Sequence, residues 1–188
     1  MAKTFDDASD FDEQAQDPFN LKAERALSRQ HQQQRFVASA LWELPIGDEE
    51  NRSGPKAKEA SWPIRMFSHI ELAPIVTIES GRPVNPLTGL DSRRNQAFPL
   101  SSRPQGFGRN SLKKPAKANI DLRILKHFPF GESRRLDLVA EAFNLLNHTN
   151  VTQINPIYGI AAVPQAGFGQ PIAAAAARKI QFSLDFEF

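Results

Sequence analysis

From Arg178 to Phe188 the chain alternates strictly. Ile180, Phe182, Leu184, Phe186 and Phe188 point one way, and Lys179, Gln181, Ser183, Asp185 and Glu187 point the other. A period of two over that length specifies a β-strand with one apolar and one wet face, because successive side chains leave a strand on opposite sides. The chain also stops on an aromatic residue, whose free carboxylate would be costly inside a protein core. Whatever covers the apolar row is therefore expected to leave Phe188 at a water boundary.

Four earlier segments carry the same period. In Arg35–Leu44 the shared face is Phe36, Ala38, Ala40, Trp42 and Leu44. In Ser68–Glu79 it is Ile70, Leu72, Val76 and Ile78, against Glu71, Ala73, Ile75, Thr77 and Glu79. In Ala118–Phe128, Ile120, Leu122 and Ile124 oppose Asp121 and Arg123. In Arg135–Phe143, Leu136, Leu138, Ala140 and Ala142 oppose Asp137, Val139 and Glu141. That fourth segment also fits a helix through Leu136, Ala140, Phe143 and Asn147, and its Ala, Glu and Leu are good helix formers. Its position between two strands favours a strand. Residues 1–34 are polar, with acids at Asp6, Asp7, Asp10, Asp12, Glu13 and Asp17, and read as loop with at most a short helix around Asn20–Arg29. Residues 35–188 hold the strands.

The links between strands give a second constraint. Pro129–Arg134 is a tight turn and Pro45–Phe67 is of intermediate length, whereas Ser80–Lys117 and Asn144–Ala177 are long. Short and long links alternate, as do the periplasmic turns and extracellular loops of transmembrane β-barrels. Eleven residues at about 3.3 Å each, tilted near 45°, rise roughly 25 Å, the height of the apolar band of such barrels. Soluble sheets more often use strands of about five or six residues. Only 40% of the residues are apolar and 14 are proline, a composition that barrels with hydrophilic loops share. The expected fold is all-β: an antiparallel up-and-down meander of about five strands, a partial, open outer-membrane β-barrel. The alternative is a soluble antiparallel sheet acting as a binding or adhesion module. It requires a second sheet or an amphipathic helix over the apolar faces, and the sequence offers neither.

Several chemistries are excluded or weakly supported. The chain has no cysteine, so disulfides, zinc–thiolate sites and thiol nucleophiles are absent. His31, His69, His127 and His148 lie far apart and none has a metal-binding i, i+4 partner. His127 and His148 fall at strand ends and are expected to be solvated. Gly106-Phe-Gly108 and Gly167-Phe-Gly169 are too short for a phosphate loop and read as turns. Asp185 and Glu187 sit two apart on one strand face, where they line a wet lumen with Arg123 and Lys179 more readily than they perform acid–base work. No catalytic, cofactor or metal residue is expected. The basic run Arg103, Arg109, Lys113, Lys114 and Lys117 has only Phe107 interleaved, so it lacks the stacking platforms of a nucleic-acid site. It reads as a solvated loop, with lipopolysaccharide phosphates or the Asp6–Asp17 carboxylates as natural partners. No uninterrupted apolar stretch makes a transmembrane helix, and Met1–Asp7 has no signal-peptide pattern.

Two blocks carry a family resemblance. Gly108-Arg-Asn-Ser-Leu-Lys-Lys-Pro-Ala-Lys-Ala-Asn-Ile-Asp-Leu-Arg123 and Arg135-Leu-Asp-Leu-Val-Ala-Glu-Ala-Phe-Asn-Leu-Leu-Asn-His148 resemble the closing strands of TonB-dependent receptors of the Oar-like type, common in acidobacteria. The order of Gln34–Ser39, Glu43–Gly47, Ile75–Pro83, Gly167–Pro171 and the last strand agrees with it. The resemblance spans roughly residues 17–188, and Glu141–Asn147 is its most specific part. It implies an outer-membrane barrel fragment that contributes wall and extracellular loops to ligand uptake. The rest of the barrel, the plug and the TonB-engaging segment would lie outside these residues, so TonB would be reached only through that plug. It also implies that Ile180, Phe182, Leu184, Phe186 and Phe188 form the strand read by the barrel-assembly machinery. Outer-membrane lipid and lipopolysaccharide would surround the wall, and Asp121, Arg123, Glu141, Lys179 and Asp185 would face the lumen.

Overall fold

The computed structural model describes residues 3–8, 15–46, 66–91, 94, 102–130 and 134–188. Most of the Pro45–Phe67 link, the centre of the Pro129–Arg134 turn, and Asp10, Asp12 and Glu13 lie outside the described residues. The first strands are β1 (Phe5–Asp6), β2 (Ala26–Leu27), β3 (Arg35–Ser39), β4 (Trp42–Glu43), β5 (Ile70–Glu79) and β6 (Pro83–Val84). Then follow β7 (Leu112–Lys113), β8 (Lys117–Phe130), β9 (Arg134–Phe143), β10 (Val151–Ile154), β11 (Pro171–Ala174) and β12 (Lys179–Glu187). The chain divides into two compact units, one built on Phe36–Thr77, Ala118–His148 and Ala176–Phe188, the other on Met1–Arg35, Ile78–Lys117 and Thr149–Ala175.

The strand unit is the expected meander. Its sheet runs β12-β9-β8-β5-β3, each strand beside its neighbour in the series of alternating segments, with β4 also on β5. It is not closed: β3 and β12 end the path. The segment Arg35–Leu44, read as one strand, is two. Ala40 donates its N–H to Pro74 O at 3.2 Å, and Trp42 pairs Leu72. Pro74 has no N–H to return, so the ladder loses a rung where β3 gives way to β4.

Register fixes the faces. In β12 and β9, Ile180 pairs Ala142, Phe182 pairs Ala140, Leu184 pairs Leu138 and Phe186 pairs Leu136. In β8 and β9, Leu122 pairs Ala142, Ile124 pairs Ala140 and Phe128 pairs Leu136. Directly opposed residues share a face, so these side chains form one continuous apolar surface. It has no second layer among the described residues: Ile180, Phe182, Leu184 and Phe186 are 53%, 73%, 69% and 54% exposed. An apolar surface of that kind is unusual on a soluble monomer. Lys126 interrupts the row opposite Leu138. Its ammonium donates to Ser68 O and lies 5.1 Å over the Phe128 ring, so its charge is spent on a carbonyl and an aromatic face.

The ambiguous fourth segment is strand β9, and the reason lies just beyond it. Asn144 and Asn147 both adopt φ 52°, a left-handed conformation that asparagine tolerates better than most residues. Asn144 Oδ1 accepts from His148 N at 3.0 Å, and Asn144 N donates to Asp121 Oδ1 at 2.9 Å. The Phe143-Asn-Leu-Leu-Asn147 stretch is thus a chain reversal tied to β8, which a continuing helix could not make.

The second unit is assembled from the N-terminal segment and the two long links. The N-terminal segment, expected as loop, contributes β1, β2 and a 3₁₀ turn at Leu21–Glu24. The long links contribute the pairs β6–β7 and β10–β11.

Candidate functional site

On the wet face of the sheet, polar side chains meet across strands. Arg123 is directly opposite Glu141, with Nε–Oε1 at 3.9 Å. Glu141 is in turn opposite Gln181, whose Nε2 donates to Glu141 Oε2. One ladder of three side chains therefore crosses β8, β9 and β12. A second lies four residues along the strand, where His127 Nδ1 and Asp137 Oδ1 are 2.7 Å apart. Arg135 Nε reaches Asp137 Oδ2 at 3.4 Å and Glu187 Oε2 at 2.8 Å.

Among the residues expected to line a lumen, Arg123 is paired with Glu141, and Glu187 is paired with Arg135. Asp185 stands directly opposite Asp137, whose carboxylate contacts His127 Nδ1 and Arg135 Nε. Lys179 lies opposite Phe143 and is exposed. Asp121 accepts from Asn119 Nδ2 at 2.8 Å and from Asn144 N, so it holds the reversal after β9. His127 is half-buried and bonded to Asp137 instead of simply solvated. That partnership is invisible in sequence, because Asp137 becomes its neighbour only through the β8–β9 register.

In the loop unit the basic run is divided. Arg103, expected on a solvated loop, is 7% exposed and holds Glu24, itself 1% exposed, through bonds of 2.7 and 2.8 Å. Arg109, also buried, donates to Asp6 Oδ1 at 2.7 Å and to the carbonyls of Asp6 and Glu24. The expectation of solvation fails for these two because each meets a carboxylate from the N-terminal segment; that of a carboxylate partner in Asp6–Asp17 holds for Asp6. Planar guanidinium forks suit such paired acceptors.

The two Gly-Phe-Gly stretches are turns, with Gly106, Gly167 and Gly169 at φ 85°, 88° and 74°. They also do something their spacing concealed. Phe107 and Phe168 meet at 5.9 Å, and each packs on Tyr158, at 5.2 and 5.1 Å. Tyr158 is held by a backbone bond to Leu87 O at 2.8 Å. Two cavities border the β6–β7 pair, one of about 320 Å³ and one of about 410 Å³. No group of acids, histidines or cysteines among the described residues is arranged to hold a metal ion.

A family model described as an outer membrane beta barrel domain matches residues 1–107 and 97–181. No curated protein and no solved structure matches the chain.

Proposed function

We propose that this chain, which belongs to the outer membrane beta barrel domain family, forms wall strands and extracellular loops of a TonB-dependent receptor engaged in ligand uptake. It is an outer-membrane protein of bacteria. The observation that carries the reading is the sheet's division into an exposed apolar face and a cross-linked polar face. Lipid covers the first without any protein layer, and water fills a lumen against the second. Strands of 10, 14, 10 and 9 residues (β5, β8, β9 and β12) rise about 20–30 Å when tilted near 45°, enough to cross the apolar band.

The TonB-dependent assignment is supported by the resemblance of the Glu141–Asn147 block and by the size of the loop unit, which suits a receptor that captures a solute. In this reading Asp121, Arg123, Glu141, Lys179 and Asp185 border the lumen. Lipopolysaccharide surrounds the outer half of the wall. The row Ile180, Phe182, Leu184, Phe186 and Phe188 is the strand that the assembly machinery reads, with the Phe188 ring stacked 6.1 Å from Phe186. The chain binds and admits a ligand and catalyses nothing.

The reading is tested in the genomic sequence upstream of Met1. A plug and a TonB-engaging segment in the same reading frame support the receptor. An unrelated upstream sequence, with the protein still recovered in the outer membrane, leaves a barrel without TonB coupling.

A further inference from the structure

Arg82 and Lys114 of the loop unit stand side by side without an ion pair to a carboxylate among the described residues. The register of β6 and β7 sets Pro83 against Lys113 and Val84 against Leu112. One step further along, Lys114 N donates to Arg82 O at 3.0 Å, so two cations stand directly opposite each other. Like charges in that position destabilise a strand pair. The close approach is built in: a Cβ on Gly81 would lie 1.6 Å from Lys114 O, so only glycine fits there.

Nothing in the described chain neutralises the pair. Arg82 contacts an amide, Gln32 Oε1, at 3.5 Å, and Lys114 forms no ion pair among the described residues. Both line the cavity of about 410 Å³. No carboxylate is among the described residues that line it, and Val84, Ile154 and Ile172 supply an apolar floor. By contrast, Arg103 and Arg109 in the same unit each meet a carboxylate.

The geometry points to a binding site for a small organic anion. Its phosphate or carboxylate bridges Arg82 and Lys114, and its apolar body lies on Val84, Ile154 and Ile172. The bound anion removes the like-charge repulsion through charge-assisted bonds to Arg82, which is exposed, and Lys114, which is half-buried. This goes beyond the wall-and-loop reading and stands on the loop unit alone, so its failure leaves the barrel intact.

Phenyl phosphate is the probe, titrated against the full chain in zwitterionic detergent and followed by ligand-observed NMR. Saturable binding is expected, weakening as salt is raised. Arg82→Gln with Lys114→Gln should lower affinity about tenfold or more, the worth of one charged hydrogen bond. Arg82→Lys with Lys114→Arg keeps both charges and should keep binding. Ile172→Ser should weaken phenyl phosphate more than inorganic phosphate. Because the double glutamine variant also removes the repulsion, its thermal midpoint should equal or exceed the parent's, which separates lost binding from lost folding. Displacement of the probe by phosphatidate in mixed micelles would assign the anion to a membrane amphiphile, and displacement only by free aryl phosphates or carboxylates to a soluble ligand. Either supports the site. Absence of saturable binding by the parent, or equal binding by the double glutamine variant, overturns it.

Discussion

Arg103 grips the Glu24 carboxylate with both terminal nitrogens, at 2.7 and 2.8 Å, across a sequence separation of 79 residues. The pair is almost wholly excluded from solvent and joins the N-terminal segment to the first long link. Removing one member of such a pair leaves a buried charge uncompensated, at about 3–5 kcal/mol. Glu24→Gln should therefore loosen the loop unit, seen as hydrogen exchange accelerated about a hundredfold or more at Ser28 and Thr88, whose amides donate to Thr4 O and Ser102 O. Glu24→Leu with Arg103→Met should recover most of that protection. Parent-like exchange in Glu24→Gln would show that the pair contributes little.

Two glycines in the same unit make a contrast. An added Cβ at Gly81 strikes the backbone of Lys114, whereas at Gly108 nothing lies within 4 Å and φ is not positive. Gly81→Ala should thus cost about 1–3 kcal/mol or more through backbone displacement. Gly108→Ala should be neutral or slightly stabilising. Thermal midpoints of the two variants check the ordering, and equal midpoints would contradict it.

The main sheet was legible in the sequence because alternation is a local signal and each of the five segments carries it on its own residues. The break between β3 and β4 was not, since it depends on Pro74 lying opposite Ala40, a fact of pairing. The loop unit was the least legible part. Glu24 and Arg103 look like two solvated charges until the fold joins them, and Phe107 and Phe168 look like isolated turn residues until Tyr158 brings them together. The wet face was readable as a face, yet its partners were not: Arg123–Glu141 and His127–Asp137 follow from a β8–β9 register that no local pattern specifies.

The three-ring cluster should hold the tips of both long links. Phe107→Ala removes two ring contacts worth about 0.5–1.5 kcal/mol each beyond the area they bury. The Tyr158 and Leu87 amides should then exchange faster, while amides of the β9–β12 ladder keep their protection. Loss of protection in that ladder as well would mean that the sheet depends on the cluster.

The central claim is that lipid covers the apolar face, and neighbouring residues of β12 test it directly. Leu184 pairs Leu138 on the apolar face, and Ser183 pairs Val139 on the other. Leu184→Arg places a charge near mid-membrane, at about 2–4 kcal/mol, whereas Ser183→Arg points into water and costs little. The measurement is the yield of folded, heat-modifiable protein in outer membranes of cells expressing each variant. A strong loss for Leu184→Arg with near-normal assembly of Ser183→Arg is the expected result. Equal assembly of the two would contradict the assigned face and, with it, the membrane-spanning account of the sheet.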